Sequence, residues 1–282
     1  MAASGPADER GSLTRELYAR TLVTTALTSV GAMQRMLGPD LSGNADSTLD
    51  EQLDRQFEES SGSAARKLAA FPRFVNRSSV GRFIARYEIF KQVLPVQGSI
   101  IECGVNDGFG VFAFAQLSAL LEPLNHRRRV IGFDTFSGFP AVSEVDTGRD
   151  NARVGGLAGT SLDELEFGVQ IYDAGRAMSQ ISKIHFVVGD FMESGPAFVE
   201  ANPHLIVSLL YLDFDLRDPT ARALELFLPR MPAGSVLAFD QANSADWPGE
   251  TVALIEAIGL RRLKLERLPI TSISWAVLTG NE

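Results

Sequence analysis

Two apolar segments of the chain end in side chains whose oxygens could bind a metal ion. Asp213 follows the apolar run at 209–212, and 27 residues later Asp240 and Gln241 follow a second run at 236–239. A helical stretch between the runs predicts two parallel strands, whose carboxyl ends meet at the edge where open α/β sheets bind ligands. Two carboxylates and an amide at that edge suit Mg²⁺ or a similar hard cation. The alternative is that each aspartate only caps the following helix or turn.

A glycine-containing turn follows an earlier apolar run. It reads Glu102-Cys-Gly-Val-Asn-Asp-Gly-Phe-Gly110, and its glycines let the backbone turn sharply and approach a ligand closely. The spacing differs from the G-x-G-x-x-G turn that binds a pyrophosphate. An acid before the first glycine suits a ligand with an ammonium group, such as the methionine part of S-adenosylmethionine (SAM). Glycines also occur in strand-to-helix turns for structural reasons alone.

Two further acids end the next two predicted strands. Asp134 follows the run at 130–133, where a carboxylate can accept hydrogen bonds from both hydroxyls of a ribose. NAD enzymes and SAM enzymes share this feature, so Asp134 indicates a nucleoside rather than one particular cofactor. Asp190 and Phe191 follow the run at 184–188 and suit the amino group and the face of an adenine. A helix cap and a core phenylalanine are the alternative for this pair.

The elements that must position these residues follow a regular alternation. From residue 99 onward, short apolar runs alternate with helical stretches, which predicts a parallel, doubly wound α/β sheet. The last two predicted strands, at 261–268 and 272–278, are joined by a tight turn and predict an antiparallel hairpin at the sheet edge. A mostly parallel seven-stranded sheet that ends in such a hairpin is the usual layout of the Rossmann-like class I methyltransferases.

The residues before this alternation predict a different organisation. Residues 1–12 are polar and predict a disordered tail, and residues 13–95 predict a helical extension that serves as a lid or an oligomerisation element. Within the extension, leucines near helical spacing predict an amphipathic helix over 13–37. The SAM-dependent methyltransferase domain is predicted to cover 96–282.

The composition argues against several classes of partner. The 282 residues carry a formal net charge of −9, which disfavours nucleic acid because phosphate binding requires a basic face. The basic run Arg127–Arg129 is expected to be a solvated loop. Cys103 is the sole cysteine, so an intrachain disulfide is impossible and a cytoplasmic location is expected. We expect no membrane span and no signal peptide.

Four segments together resemble the macrocin O-methyltransferase family. They are Ile101-Glu-Cys-Gly-Val, Gly132-Phe-Asp-Thr-Phe-Ser-Gly-Phe-Pro, Tyr211-Leu-Asp-Phe-Asp and Trp247-Pro-Gly-Glu, and they match in order over about residues 80–280. That family comprises SAM- and Mg²⁺-dependent sugar O-methyltransferases that tailor antibiotics. The resemblance therefore implies both cofactors and a sugar hydroxyl as the acceptor.

The resemblance also implies roles for individual residues. SAM would contact residues at the first three strand ends: Glu102, Gly104, Asn106, Gly108, Asp134, Thr135, Phe136, Asp190 and Phe191. Asp213, Asp240 and Gln241 would ligate the metal, and Asp213 would also act as the general base. Candidates for contact with the acceptor are Asp215, Arg217 and Trp247.

Two departures from the family pattern concern the metal and the acceptor. The family usually has two aspartates where this chain has Asp240-Gln241. An amide oxygen can still bind Mg²⁺, but it brings one negative charge fewer. The family also favours tyrosine after the Asp-x-Asp motif, where this chain has Leu216-Arg217.

The predicted function is SAM-dependent, Mg²⁺-assisted O-methylation of a sugar hydroxyl, on a glycosylated natural product or a nucleotide sugar, by a homo-oligomer. Three alternatives stay open at this stage. They are a catechol-type phenol O-methyltransferase, an NAD-dependent dehydrogenase and a non-catalytic partner subunit. The missing G-x-G-x-x-G turn counts against the dehydrogenase, and Gln241 leaves the partner subunit open.

Overall fold

The computed structural model describes residues 44–146 and 150–280. The chain divides into two compact units, 1–76 and 77–282. The predicted tail and the predicted amphipathic helix, residues 1–37, lie outside the described residues.

The described part of the first unit is helical. It contains α1 (Asn44–Glu59), α2 (Ala64–Leu68) and a 3₁₀ turn at Phe71–Arg73. The Ser63 side chain caps α2 by accepting a hydrogen bond from the Arg66 amide. Phe57 packs edge-on against Phe74, with 5.2 Å between the ring centroids.

The second unit is built on a seven-stranded sheet. Its strands are β1 (Ser99–Cys103), β2 (Val130–Asp134), β3 (Ile184–Val188), β4 (Val207–Leu212), β5 (Val236–Phe239), β6 (Glu266–Arg267) and β7 (Ser274–Val277). Their order is β3-β2-β1-β4-β5-β7-β6. The first five strands run parallel, and β7 is antiparallel to both β5 and β6. The predicted parallel sheet with an antiparallel end is confirmed.

The strand predicted at 261–268 is shorter than expected. A 3₁₀ turn occupies Leu260–Arg262, and only Glu266–Arg267 pairs with β7. Both residues of β6 are exposed at the edge of the sheet, so no apolar burial favours a longer pairing.

Helices cover both faces of the sheet. They are α3 (Arg77–Val93), α4 (Phe109–Leu121), α5 (Leu162–Ala174), α6 (Phe191–Ala201), α7 (Arg217–Phe227) and α8 (Gly249–Ala257). Strand β4 is buried throughout, and its side chains alternate between two cores: Leu209 and Tyr211 enter one, Leu210 and Leu212 the other. In the described part of the chain, no helix has the length and apolarity needed to cross a membrane.

Helix α3 packs against the sheet although it precedes the alternating region. Ala85, Ile89 and Val93 are fully buried in the core that also contains residues of α4 and α5. Their spacing of four residues places them on one face of the helix. Helix α3, which lies within the region predicted as the N-terminal extension, thus belongs to the core of the second unit.

The basic run before β2 is not a solvated loop throughout. Arg128 is only 3% exposed, and its guanidinium pairs with Glu122 at 2.7 Å. It also donates to the backbone oxygens of Gly98 and Val96, at 3.0 and 2.9 Å. These carbonyls and the carboxylate replace water around the charge, which is why an arginine can be buried there.

Candidate active site

The glycine turn after β1 closely approaches the end of β4. The Asp213 amide donates to the Cys103 carbonyl at 2.8 Å, which extends the ladder of hydrogen bonds past the strand ends. Gly104 has a φ of +93°, and a Cβ there would lie 2.0 Å from the Asp213 carbonyl oxygen. Only glycine can occupy this position, because any side chain would separate the turn from the strand that carries Asp213.

Gly104→Ala should therefore destabilise the protein more than a glycine substitution that is strained only by its backbone. Gly155 is the matched control, since its φ is +75° and a Cβ there meets no atom within 4 Å. We expect Gly155→Ala to cost about 1–2 kcal/mol of unfolding free energy from the left-handed backbone alone. Gly104→Ala should cost about 1–3 kcal/mol more because of the clash. Urea unfolding measures both; equal losses would show that the close approach is not a constraint.

The strand ends and their loops enclose a cavity of about 800 Å³. Most of the residues predicted for the cofactor, the metal and the acceptor line it: Glu102, Gly104, Asn106, Asp134, Thr135, Asp190, Phe191, Asp213, Asp215, Asp240, Gln241 and Trp247. The structure thus brings together side chains that lie far apart in the sequence.

Three predicted site residues do not line this cavity. Gly108 precedes α4 as its cap, with a φ of +82°. Phe136 packs edge-on against Phe186 at 5.8 Å between ring centroids. Arg217 begins α7, and its guanidinium pairs with Glu256 of α8 at 2.6 Å. Each of the three is thus used in local structure.

The Asp134 carboxylate organises the first two loops. One oxygen accepts hydrogen bonds from the Val105 and Asn106 amides at 2.7 and 2.9 Å, and the other accepts from the Phe136 amide at 2.8 Å. A carboxylate has about four acceptor positions, so Asp134 retains capacity for a ligand hydroxyl. It both fixes the turn after β1 and lines the cavity.

Asp190 and Phe191 adopt the structural arrangement that was the alternative for this pair. Asp190 caps α6 by accepting a hydrogen bond from the Met192 amide at 2.9 Å. Phe191 is 3% exposed and packs against Phe133 and Phe214, with centroid distances of 5.1 and 4.9 Å. Both still contribute to the cavity wall, so a contact with a ligand remains a proposal.

A buried ion pair lies beside the glycine turn. Arg86 of α3 and Glu102 of β1 are separated by 3.7 Å, and both side chains are at most 2% exposed. Burial raises the pKa of Glu102 to about 7, although the charge of Arg86 opposes this. A Cβ at Gly110 would lie 1.6 Å from a Glu102 oxygen, so the glycine makes room for the carboxylate. The sequence analysis missed Arg86, which stands among otherwise apolar residues on the buried face of α3.

Acidic side chains converge at the ends of β4 and β5. One oxygen each of Asp213, Asp215 and Glu250 lies within 4.8 Å of the other two. Burial raises the pKa of Asp213 well above its usual range, and the neighbouring carboxylates raise it further. Burial followed by the charge of Asp240 raises the pKa of Asp215 to about 7. The sequence analysis missed Glu250, although the Trp-Pro-Gly-Glu motif contains it.

Neighbouring side chains hold the Asp240 carboxylate in place. The Tyr211 hydroxyl donates to its Oδ1 at 2.6 Å, and the Arg86 guanidinium lies over the Tyr211 ring, 4.6 Å from the centroid. The Gln241 side chain turns its amide nitrogen toward Asp240 Oδ2, at 3.4 Å. Asp240 therefore has one oxygen engaged by tyrosine and one near the amide of Gln241.

Aromatic and polar residues, among them Phe139, Ser143, Asp146 and Trp247, also line the cavity. Trp247 is 7% exposed and packs against Phe139, with 6.0 Å between ring centroids. Asp146, which the sequence analysis did not identify, is 1% exposed and accepts hydrogen bonds from the Ser143 hydroxyl and the Arg217 amide.

Several solved structures are similar to this chain. The calicheamicin methyltransferase CalS11 is 29% identical, with a TM-score of 0.80 over 85% of this chain and 97% of CalS11. Its apo structure, described as a TDP-rhamnose 3′-O-methyltransferase, is 27% identical with a TM-score of 0.72 over 85% of this chain and 96% of that one. The O-methyltransferase NovP, at 20% identity and a TM-score of 0.56 over 71% and 80% of the two chains, shares the fold. A search of curated proteins finds no match.

The family match covers most of the second unit. The model of the macrocin O-methyltransferase (TylF) family matches residues 84–267, which is more than half of the chain and includes Glu102, Asp134, Asp213 and Asp240. The alternative of an NAD-dependent dehydrogenase is therefore wrong. The chain belongs to the macrocin O-methyltransferase (TylF) family and is a SAM-dependent O-methyltransferase.

Proposed function

We propose that this protein uses a bound Mg²⁺, or a similar divalent cation, to methylate a hydroxyl of a sugar on a glycosylated natural product or a nucleotide sugar. The observation that carries this proposal is the group of acidic oxygens at the ends of β4 and β5, of which those of Asp213 and Asp215 belong to residues in the wall of the same cavity as the glycine turn. The similarity to CalS11, described as acting on TDP-rhamnose, supports a sugar acceptor.

The part of the cavity at the ends of β1, β2 and β3 fits SAM. Gly104 leaves space that a Cβ would fill, Asp134 retains an acceptor position for a ribose hydroxyl, and Asp190 lies at the end of the adjacent strand. Glu102 is almost inaccessible to solvent. We therefore propose that its negative charge attracts the methionine ammonium group without direct contact. When bound, SAM supplies a methyl group activated by a sulfonium leaving group.

The part of the cavity at the ends of β4 and β5 fits a hard divalent cation, because the donor atoms there are oxygens. The ligands proposed from the sequence are Asp213, Asp240 and Gln241, and all three line the cavity. A bound Mg²⁺ would lower the pKa of the acceptor hydroxyl and orient it. Asp213 would accept the proton. Burial raises the pKa of Asp213, and a bound cation beside it would oppose this shift by favouring the ionised carboxylate.

The direct test combines binding and turnover. Calorimetry should detect binding of SAM, and mass spectrometry should detect a methylated product from TDP-rhamnose or from a rhamnosylated natural product when Mg²⁺ is present. Methylation of catechol with no methylation of either sugar would overturn the sugar assignment. The homo-oligomer and the cytoplasmic location stay predictions.

Asp134→Ala should weaken SAM binding by about 1.5–3 kcal/mol, because the variant loses charge-assisted hydrogen bonds to the ribose and to the loop that faces it. Asp218→Ala is the control, since Asp218 is an exposed carboxylate at the rim of the cavity, paired with Arg217. Titration calorimetry measures both. An unchanged affinity in Asp134→Ala would exclude Asp134 from nucleoside binding.

Tyr211→Phe should weaken divalent-metal binding by about 10-fold, because Asp240 loses the hydroxyl that orients it. Tyr172→Phe is a matched control: its hydroxyl also donates at 2.6 Å in a buried position, but to the Ala115 carbonyl. Both variants should lose about 1–2 kcal/mol of stability, whereas only Tyr211→Phe should alter a Mn²⁺ titration. Equal Mn²⁺ affinities would show that the Tyr211 hydroxyl is purely structural.

A further inference from the structure

Glu250 is a buried carboxylate with one oxygen that has no hydrogen-bond partner among the described residues. It lies in the first turn of α8 and is fully buried. Its Oε2 accepts a hydrogen bond from the Gln241 amide at 2.9 Å, whereas Oε1 is buried without a hydrogen-bond partner among the described residues. A buried carboxylate oxygen without a partner costs free energy and is normally satisfied by a hydrogen bond or an ion.

The surroundings of Glu250 add negative charge rather than compensate for it. Its nearest acidic neighbours are Asp213 and Asp215, whose oxygens lie within 4.8 Å of its own. Arg86, a buried cation nearby, is paired with Glu102, and its charge only partly offsets the effect of the carboxylates on Asp213. Three carboxylates this close repel one another unless a cation or protons neutralise them.

The side chain at position 241 does not supply the missing charge. Gln241 is neutral, and its amide nitrogen is directed toward Asp240. Its backbone amide, in contrast, holds Glu250 Oε2. Gln241 therefore fixes the position of a carboxylate that has a free oxygen.

We propose that Glu250 is a direct ligand of the divalent cation, and that it joins Asp213, Asp215 and Asp240 in the site in place of the Gln241 side chain. In this arrangement Glu250 supplies the charge that an aspartate at position 241 would otherwise bring, and Gln241 acts through its backbone. This inference rests on the proposed function, because it assigns the ligands of the metal proposed there.

Mn²⁺ is the probe, with free Mn²⁺ followed by electron paramagnetic resonance in the full-length protein. Glu250→Gln should weaken Mn²⁺ binding by about 100-fold or more, beyond the loss usual for a residue that only orients a ligand. Glu256→Gln should bind as the wild type does, since Glu256 lies on the same helix but pairs with Arg217 at the surface. Gln241→Ala should stay within about 3-fold of the wild type, because it keeps the backbone amide.

Thermal unfolding separates a ligand from a structural carboxylate. Without metal, Glu250→Gln should melt at or above the wild-type temperature, because the substitution removes a repelling charge. The rise in melting temperature that Mn²⁺ produces in the wild type should be absent in the variant. A structural role predicts the reverse: a lower melting temperature without metal and a normal rise with it.

The remaining outcomes are also decisive. If Glu250→Gln binds Mn²⁺ like the wild type, Glu250 is a protonated buried acid and the inference is wrong, while the proposed function stands. If Gln241→Ala loses binding instead, the ligand set proposed from the sequence is correct. If the wild-type protein binds SAM but not Mn²⁺, both the ligand role of Glu250 and the proposed use of a metal are wrong. Should Glu250→Gln not fold, Glu250→Asp keeps the charge, and a ligand role predicts measurably weakened Mn²⁺ binding.

Discussion

Removal of divalent cations should abolish methyl transfer by this protein, and added Mg²⁺ should restore it. Oxygens of Asp213, Asp215 and Glu250 lie within 4.8 Å of one another near the ends of β4 and β5, and carboxylate oxygens are the donors that Mg²⁺ prefers. An acceptor hydroxyl has a pKa far above neutral, so without a cation beside it too little alkoxide character develops for attack on the methyl group. Product formation measured before and after treatment with a chelator provides the test.

SAM binding is the control for the chelator experiment. We expect titration with SAM in the presence of chelator to give nearly the same affinity as without it, because the residues proposed for the cofactor lie at the ends of β1, β2 and β3 rather than at the acidic group. Loss of turnover with intact SAM binding assigns the cation to the chemical step. Full turnover in protein with no detectable metal would leave only a metal-free mechanism.

Asp213→Asn should lower turnover by roughly 10²–10⁴-fold, the range for loss of a general base. The amide keeps an oxygen that can touch a metal, but it removes the carboxylate that accepts the proton. SAM affinity, measured by calorimetry, should barely change.

Two further variants define the assignment of the base. Asp218→Asn, at the exposed rim, should keep nearly full turnover. Asp215→Asn tests the neighbouring carboxylate, which has a left-handed backbone with a φ of +62° and lines the same cavity. If Asp213→Asn is fully active while Asp215→Asn is inactive, the base is Asp215. If both keep wild-type turnover, the catalytic interpretation of this strand end is wrong.

The sequence by itself determined the sheet and the places where a site could form. The alternation of apolar runs with helical stretches predicted the parallel strands, and the acids after the runs marked their carboxyl ends. The hairpin at the end was predicted as well, although β6 is much shorter than expected. These features are predictable because each depends on neighbours in the sequence: a periodic pattern, a glycine turn, or an acid after an apolar run.

The tertiary structure alone decided which side chains act together. Glu250 comes after the second strand of the pair, yet it lies beside Asp213 and Asp215. Arg86 comes from a helix that the sequence assigned to the extension, yet it is paired with Glu102. Arg217, one of the candidates for contact with the acceptor, pairs with Glu256 of another helix. Such contacts join side chains from different elements, and their distances depend on how helices pack against the sheet, which no local pattern of residues specifies.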